Sequence, residues 1–109
     1  MTHNMKLVDF AFKAMKNKEK DIELRLNDEK RRRINIDDII IFTHVDTGEE
    51  LKTKVVNLYQ FDSFKEMFSS LDNSRFGLNK NDTFEIMYNF YTKDEEKKYG
   101  GLAIEIKLI

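Results

Sequence analysis

Apolar and charged residues alternate through the segment KDIELRLND, with Ile22, Leu24 and Leu26 on one side of an extended chain and Asp21, Glu23 and Arg25 on the other. A side-chain period of two predicts a strand with one buried face. The charged turn DEKRRR follows, and INIDDIIIF then predicts a second strand, because β-branched residues dominate it. VDTGEE reads as a hairpin connection in which Gly48 supplies a positive φ, and LKTKVVNLYQF resumes strand character through Leu51, Val55, Val56 and Tyr59. LAIEIKLI closes the chain as a strand, with Leu102, Ile104, Ile106 and Leu108 on one face.

Helical spacing occupies the gaps. Leu7, Phe10, Ala11, Ala14 and Met15 recur at three and four residues and predict a helix from Asp9 to Asn17. Ser63 with Glu66, Asp82 with Glu85, and Thr92 with Glu95 each have the spacing of a capping box, in which a side-chain oxygen satisfies an orphan N–H of the first turn. The first opens a short helix bearing Met67, Phe68 and Leu71; the second, one bearing Phe84, Met87, Tyr88 and Tyr91; the third, a brief helix through Lys98 that Gly100 stops. Four strands in mixed order with short helices between them point to an α+β domain occupying residues 1–109, and the hairpin and closing strand are compatible with a small barrel. Met15, Phe68, Met87 and Tyr88 are expected in the core.

Composition narrows the chemistry. The chain has 109 residues, nine Phe, four Tyr and no Cys, which predicts one folded unit and excludes disulfides, thiolate metal sites and cysteine nucleophiles. The only His residues are His3 and His44, neither of which suggests a role, and no metal or cofactor is expected. Asp37 and Asp38 should point to opposite sides of a strand and so not clamp a cation together. No apolar run is long enough to cross a bilayer and the start lacks a secretory signal, so a cytoplasmic location is expected, without a membrane partner. Net charge is −1, yet residues 1–33 hold ten Lys and Arg against six acids and residues 34–109 nine against fourteen. A local basic face can meet a few phosphates where the overall field does not attract nucleic acid.

One constellation stands out: in KEKDIELRL, Lys20, Glu23 and Arg25 have the spacing K-x-x-E-x-R. This resembles the signature of the ASCH domain family. The family pattern normally starts with Gly two residues before the Lys, where this chain has Lys18, and RRINIDDIIIF resembles the next family strand with Asp37 where Gly is usual. FDSFKEMF resembles the following helix, and KKYGGLAIEIKL the closing Tyr-Gly and strand, so the similarity runs through nearly the whole chain. The resemblance implies a PUA-like fold, a small mixed β-barrel decorated by short helices, with a cleft at the K-x-x-E-x-R segment. It also implies binding of RNA or a nucleotide-derived ligand. Small bacterial members include amidohydrolases acting on N4-acetylcytidine, in which a Thr tends to stand at the position of Glu23, and ribonuclease activity is also attributed to the family.

Chemically, Arg25 offers a planar donor fork, Lys20 a point charge and Glu23 an acceptor for an exocyclic amine, a set suited to a phosphate or a base edge. The competing reading is a solvent-exposed ion-pair cluster of little energetic consequence. If catalysis occurs, Lys20 suits stabilisation of an anion, because the nearby carboxylate favours its charged form, and Glu23 or Glu66 is the better candidate base. Arg31, Arg32 and Arg33, with Lys30, either contact phosphates beside the cleft or form a solvated turn balanced by Asp28 and Glu29. Tyr99 either stacks on an unpaired base or packs against the core. The aromatic stretch from Phe84 to Tyr91 is the one candidate for a protein-binding patch, and burial of those side chains would remove it.

Overall fold

In the computed structural model, which describes residues 1–109, the β-branched and alternating segments pair into one five-stranded sheet of order β1-β3-β4-β5-β2. The elements are β1 (Thr2–Leu7), α1 (Asp9–Lys16), β2 (Ile22–Leu26), β3 (Ile39–His44), β4 (Glu50–Phe61), α2 (Phe64–Ser70), α3 (Lys93–Tyr99) and β5 (Gly101–Leu108), with 3-10 turns at Arg31–Arg33, Asn73–Arg75 and Phe84–Asn89. β1 runs parallel to β3 and every other pairing is antiparallel. The sheet curls into an open half-barrel with α1 closing one end of its interior and α2 packed outside it, the mixed α+β, PUA-like architecture that the sequence led one to expect. No helix is long and apolar enough to cross a membrane.

The sheet is buried on both faces. Its concave side holds Met5, Leu7, Ile40, Phe42, Val55, Leu102, Ile104 and Ile106, covered at one end by Phe12 and Met15 of α1. Its outer side packs Ile22, Leu26 and Ala103 against Phe64, Met67 and Phe68 of α2 and against Phe76 and Met87. Each large side chain so buried contributes roughly 2 kcal/mol. β4 serves both layers because a bulge interrupts its pairing between Val55 and Asn57. The extra residue, Val56, stays exposed, and the phase of the strand reverses so that Leu58 packs on the concave layer and Tyr59 and Phe61 on the outer one.

Several expectations need correction. There are five strands rather than four: THNMKL is β1, inconspicuous because only Met5 and Leu7 turn inward and its partner lies far along the chain. His3 lies within this strand. β3 starts at Ile39, because Asn35–Asp38 forms a turn in which Asp37 has φ +75°. Asp37 and Asp38 therefore do not alternate along a strand. Asp38 accepts hydrogen bonds from His3 (2.8 Å), the Asn35 amide (3.0 Å) and the N-terminal ammonium (3.3 Å). In α1 the buried pair is Phe12 and Met15, while Phe10, two residues and so about 200° round the helix from Phe12, is 56% exposed. The segment after Asp82 is a 3-10 turn capped by Thr83; Asp82 accepts from the Asn79 amide instead. The other two caps form as read, with Ser63 accepting from the Glu66 amide and a complete Thr92–Glu95 box.

Two backbone positions carry testable strain. Lys18 has φ +64° and Asp37 φ +75°, the left-handed region in which a Cβ is disfavoured. These are the two places where the family resemblance puts Gly. Lys18→Gly is expected to raise stability by about 0.5–1 kcal/mol, and Asp37→Gly by less, since Asp tolerates this region better; urea denaturation of both variants checks the order. The Asp38 cluster sets an acid limit. The His3 hydrogen bond, the Asn35 amide and the terminal ammonium hold the Asp38 carboxyl at about 2, so this cluster's stabilisation is full above the ordinary value near 3.8 and fades as pH falls towards 2. Asp38→Asn should lower stability at neutral pH and flatten its dependence on pH between those values.

Candidate functional site

Lys20, Glu23 and Arg25 do come together, although not on a solvent face. Antiparallel partners share a face, and Glu23 and Arg25 stand opposite Ile104 and Leu102 of β5. They therefore turn into the half-barrel, while Ile22, Leu24 and Leu26 face outward to the second apolar layer. The polar half of the alternation is the concave half, which corrects the sequence reading. As a result Glu23 is 6% exposed and Lys20 only 4%.

Burial of these charges is compensated bond by bond. The Lys20 ammonium donates to the carbonyls of Ile22 (2.8 Å) and Phe76 (2.7 Å) and pairs with Glu23 Oε1 at 3.1 Å, occupying all three of its N–H groups. Glu23 Oε2 accepts from Arg25 Nε and pairs with Nη2, each at 2.7 Å. Arg25 Nη2 also donates to the carbonyl of Lys6 in β1, at 2.9 Å. Since β1 and β2 are the two edges of the sheet, Arg25 spans the opening of the half-barrel. Burial pulls the Glu23 carboxyl up, but Lys20 and Arg25 outweigh it, and the group is held below its ordinary range. Burial likewise disfavours the Arg25 charge, and Glu23, with the Tyr91 hydroxyl beside it, more than restores it.

Neighbouring backbone makes room for this chain of charges. Lys20 bridges to Phe76, and a Cβ on Gly77 (φ +69°) would stand 2.8 Å from Lys20 Cβ, so the next residue after the bridge has to be Gly. Asp21, pointing away, is held by a bidentate pair with Arg75 at 2.9 and 2.8 Å.

The charges form one wall of a cleft of about 440 Å³ between α1, β2 and the segment 76–91. Most of its lining is apolar: Leu24, Phe76, Leu78, Ile86, Met87 and Tyr91 among others. Phe10 and Phe90, 56% and 68% exposed, stand at its edge. The sequence reading places Phe10 on the core face of α1 and takes Phe90 only as part of the 84–91 aromatic stretch, not as a residue of the cleft. The other apolar side chains of the 84–91 stretch, Phe84, Ile86, Met87, Tyr88 and Tyr91, are at least half-buried, leaving no continuous aromatic patch beyond the lip of the cleft. No cluster of three or more His, Cys, Asp or Glu converges as a metal would require.

The remaining candidates divide. Arg31 is partly buried near Arg25, Glu23 and Tyr91, and burial together with the Arg25 charge lowers its pKa. Arg32 and Tyr99 line a second, polar depression, with the guanidinium 5.9 Å from the ring centre. Lys30 and Arg33 are exposed, and Glu66 lies on the outer surface of α2, lining neither cavity.

A family model for the ASCH domain matches residues 5–109. The chain belongs to the ASCH domain family. This ASCH domain is similar to the crystal structure of the hypothetical protein PH0355, with 39% identity, a TM-score of 0.87 and full coverage of both chains. It is also similar to the solution structure of protein PF0455 from Pyrococcus furiosus, with 34% identity and a TM-score of 0.77 over 100% of this chain and 98% of that one. No curated protein matches. The ASCH family is generally linked to RNA binding.

Removing the shared carboxylate should expose the cost of the buried charges. Glu23→Gln in this ASCH domain leaves Lys20 without its counter-ion and is expected to cost about 3 kcal/mol at neutral pH. Because the folded Glu23 carboxyl titrates below its ordinary value of 4.5, its contribution is full above that value and lost as pH falls through the depressed one. Denaturation of both proteins at pH 7 and in acid should therefore show the difference shrinking on acidification.

Proposed function

We propose that the ASCH domain binds single-stranded RNA, or a modified nucleoside derived from it, by taking one unpaired base into the cleft beside Glu23 and Arg25. The observation that carries this reading is the combination in one cavity of about 440 Å³ of apolar walls, an oriented guanidinium–carboxylate pair and two exposed Phe rings at the mouth. Ligand pockets of a few hundred cubic ångströms with few, fixed polar groups suit a planar heterocycle. Arg25 has Nε and Nη2 occupied, leaving the Nη1 donors for Tyr91 or for a carbonyl on a base; Glu23 already carries two cations and acts chiefly to fix the plane of Arg25. Phe10 and Phe90 offer stacking surfaces that any base can use, and a base inside a helical stem could not reach them.

Binding is favoured over catalysis by the same geometry. With its three N–H groups committed to Ile22, Phe76 and Glu23, Lys20 has no proton directed at a substrate, and it serves to position Glu23. A carboxylate held ionised by two cations is a weak base. The hydrolase reading, with Lys20 and Glu23 as the catalytic pair of an amidohydrolase or ribonuclease, therefore stands second.

Titration with a short unpaired RNA and with N4-acetylcytidine, followed by amide shifts, is expected to move Leu24, Arg25, Phe76 and Phe90, with a duplex of the same sequence far weaker. Both ligands should keep their mass after prolonged incubation; a cleaved strand or released acetate would replace the binding reading with the catalytic one. Phe90→Ala should weaken binding about tenfold, within the range of one lost stacking contact, and leave the melting temperature unchanged because the ring is exposed. Unaltered affinity would remove Phe90 from the site.

A further inference from the structure

Beyond β2 the chain carries a second set of groups that neither the cores nor the cleft uses. Asn27, 7% exposed, leaves its Oδ1 buried without a partner, in a structure where its own amide and carbonyl are bonded to Gly100 and Arg32. It lines a polar depression of about 490 Å³ together with Arg32, Gln60, Lys97, Lys98 and Tyr99. The Tyr99 ring is flanked by two cations, with Lys98 at 5.0 Å and Arg32 at 5.9 Å from its centre. None of Arg31, Arg32, Lys97 or Lys98 forms an ion pair, although Lys13, Lys16, Lys20, Arg25, Lys54 and Arg75 all do. Asp62 is the one acid lining the depression.

We propose that this depression is a second nucleotide subsite, which receives the phosphate and base next along a single RNA strand whose preceding or following base lies in the cleft. The inference rests on the reading of the cleft given above. The route between the two is marked by cations: Arg25 at the end of the cleft, Arg31 close enough to feel its charge, then Arg32 at the depression, all within one strand end and one 3-10 turn. Arg31 and Arg32 have no ion-pair partner, and an anion placed beside them offsets their mutual repulsion and that of Arg25, which a phosphodiester supplies. Tyr99 then presents a face on which a base stacks. An isolated phosphate would account for the cations but not for Tyr99 between them.

The test compares a single nucleoside with a hexanucleotide RNA on the intact protein and on two variants, Lys98→Glu and Tyr99→Leu, with Tyr99→Phe as the conservative control. The nucleoside is expected to move cleft amides alone and to bind all four proteins equally. The hexanucleotide should in addition move Asn27, Arg32 and Tyr99, and should lose about tenfold in affinity with Tyr99→Leu, as for one base stack, but not with Tyr99→Phe. With Lys98→Glu, affinity should fall and its salt slope should drop by about 0.7, the share of one phosphate contact on a single strand. Hexanucleotide binding that is indifferent to Lys98 and Tyr99, while the cleft still responds, overturns the second subsite and leaves the cleft reading standing. Inorganic phosphate alone moving the same three residues as strongly as RNA overturns it too, in favour of a simple anion site. A cleft silent to both nucleoside and RNA overturns the cleft reading and this inference with it.

Discussion

The hydrogen-bonded chain of charge from Lys20 through Glu23 to Arg25 and on to the Lys6 carbonyl is the constraint around which the rest of the domain is arranged. Three charges cannot leave water unless their bonding capacity is met, since an uncompensated buried ion costs several kcal/mol. Meeting that demand fixes a good deal of backbone. The Ile22 and Phe76 carbonyls must converge on one ammonium, Gly77 must lack a Cβ, and the turn entering β2 must pass through a left-handed residue at Lys18. The last link ties edge strand to edge strand, so the polar groups that define the site also restrain the opening of the half-barrel.

The functional consequence is preorganisation. A free arginine on the surface would have to be ordered before it could read a planar ligand, whereas Arg25 is held in its plane by Glu23, and Glu23 by Lys20. The apolar walls beside it come from segments with separate reasons to be there: α1 covers the concave core with Phe12 and Met15, and the 76–91 segment covers the outer core with Phe76 and Met87. Each leaves an aromatic ring, Phe10 or Phe90, on the solvent side of the cleft. In the proposed binding mode the site divides the labour between a rigid polar floor and a stacking rim of two exposed rings.

Much of this was legible in the chain. Two of the three helix caps depend on contacts a few residues apart and the closing strand on a simple alternation, and these appear as read, while Lys20, Glu23 and Arg25 meet one another but on the inner face. What was hidden depends on tertiary context. Alternation along Ile22–Leu26 tells which residues share a face but not which face is the inner one, and here α2 and the 76–91 segment cover the side that would otherwise have been solvent. β1 carries too few inward residues to be conspicuous and pairs with β3 across more than thirty residues of chain. Arg31 and Arg32 look equivalent in sequence, yet the tight turn that holds them leaves one partly buried near Arg25 and the other at the depression lined by Tyr99. Phe10 was misassigned because helical spacing over eight residues permits more than one face.

The central claim is that Glu23 holds Arg25 ready for a ligand, and the most direct measurement is the nitrogen-15 resonance of the Arg25 Nε–H during titration with single-stranded RNA. The account predicts a distinct, exchange-protected signal in the free protein that shifts on RNA binding in step with the amides of Leu24 and Phe90, and that is lost to exchange in Glu23→Gln while that variant remains folded. An Arg25 signal that does not move while RNA binds, or RNA binding of full strength in folded Glu23→Gln, would contradict it.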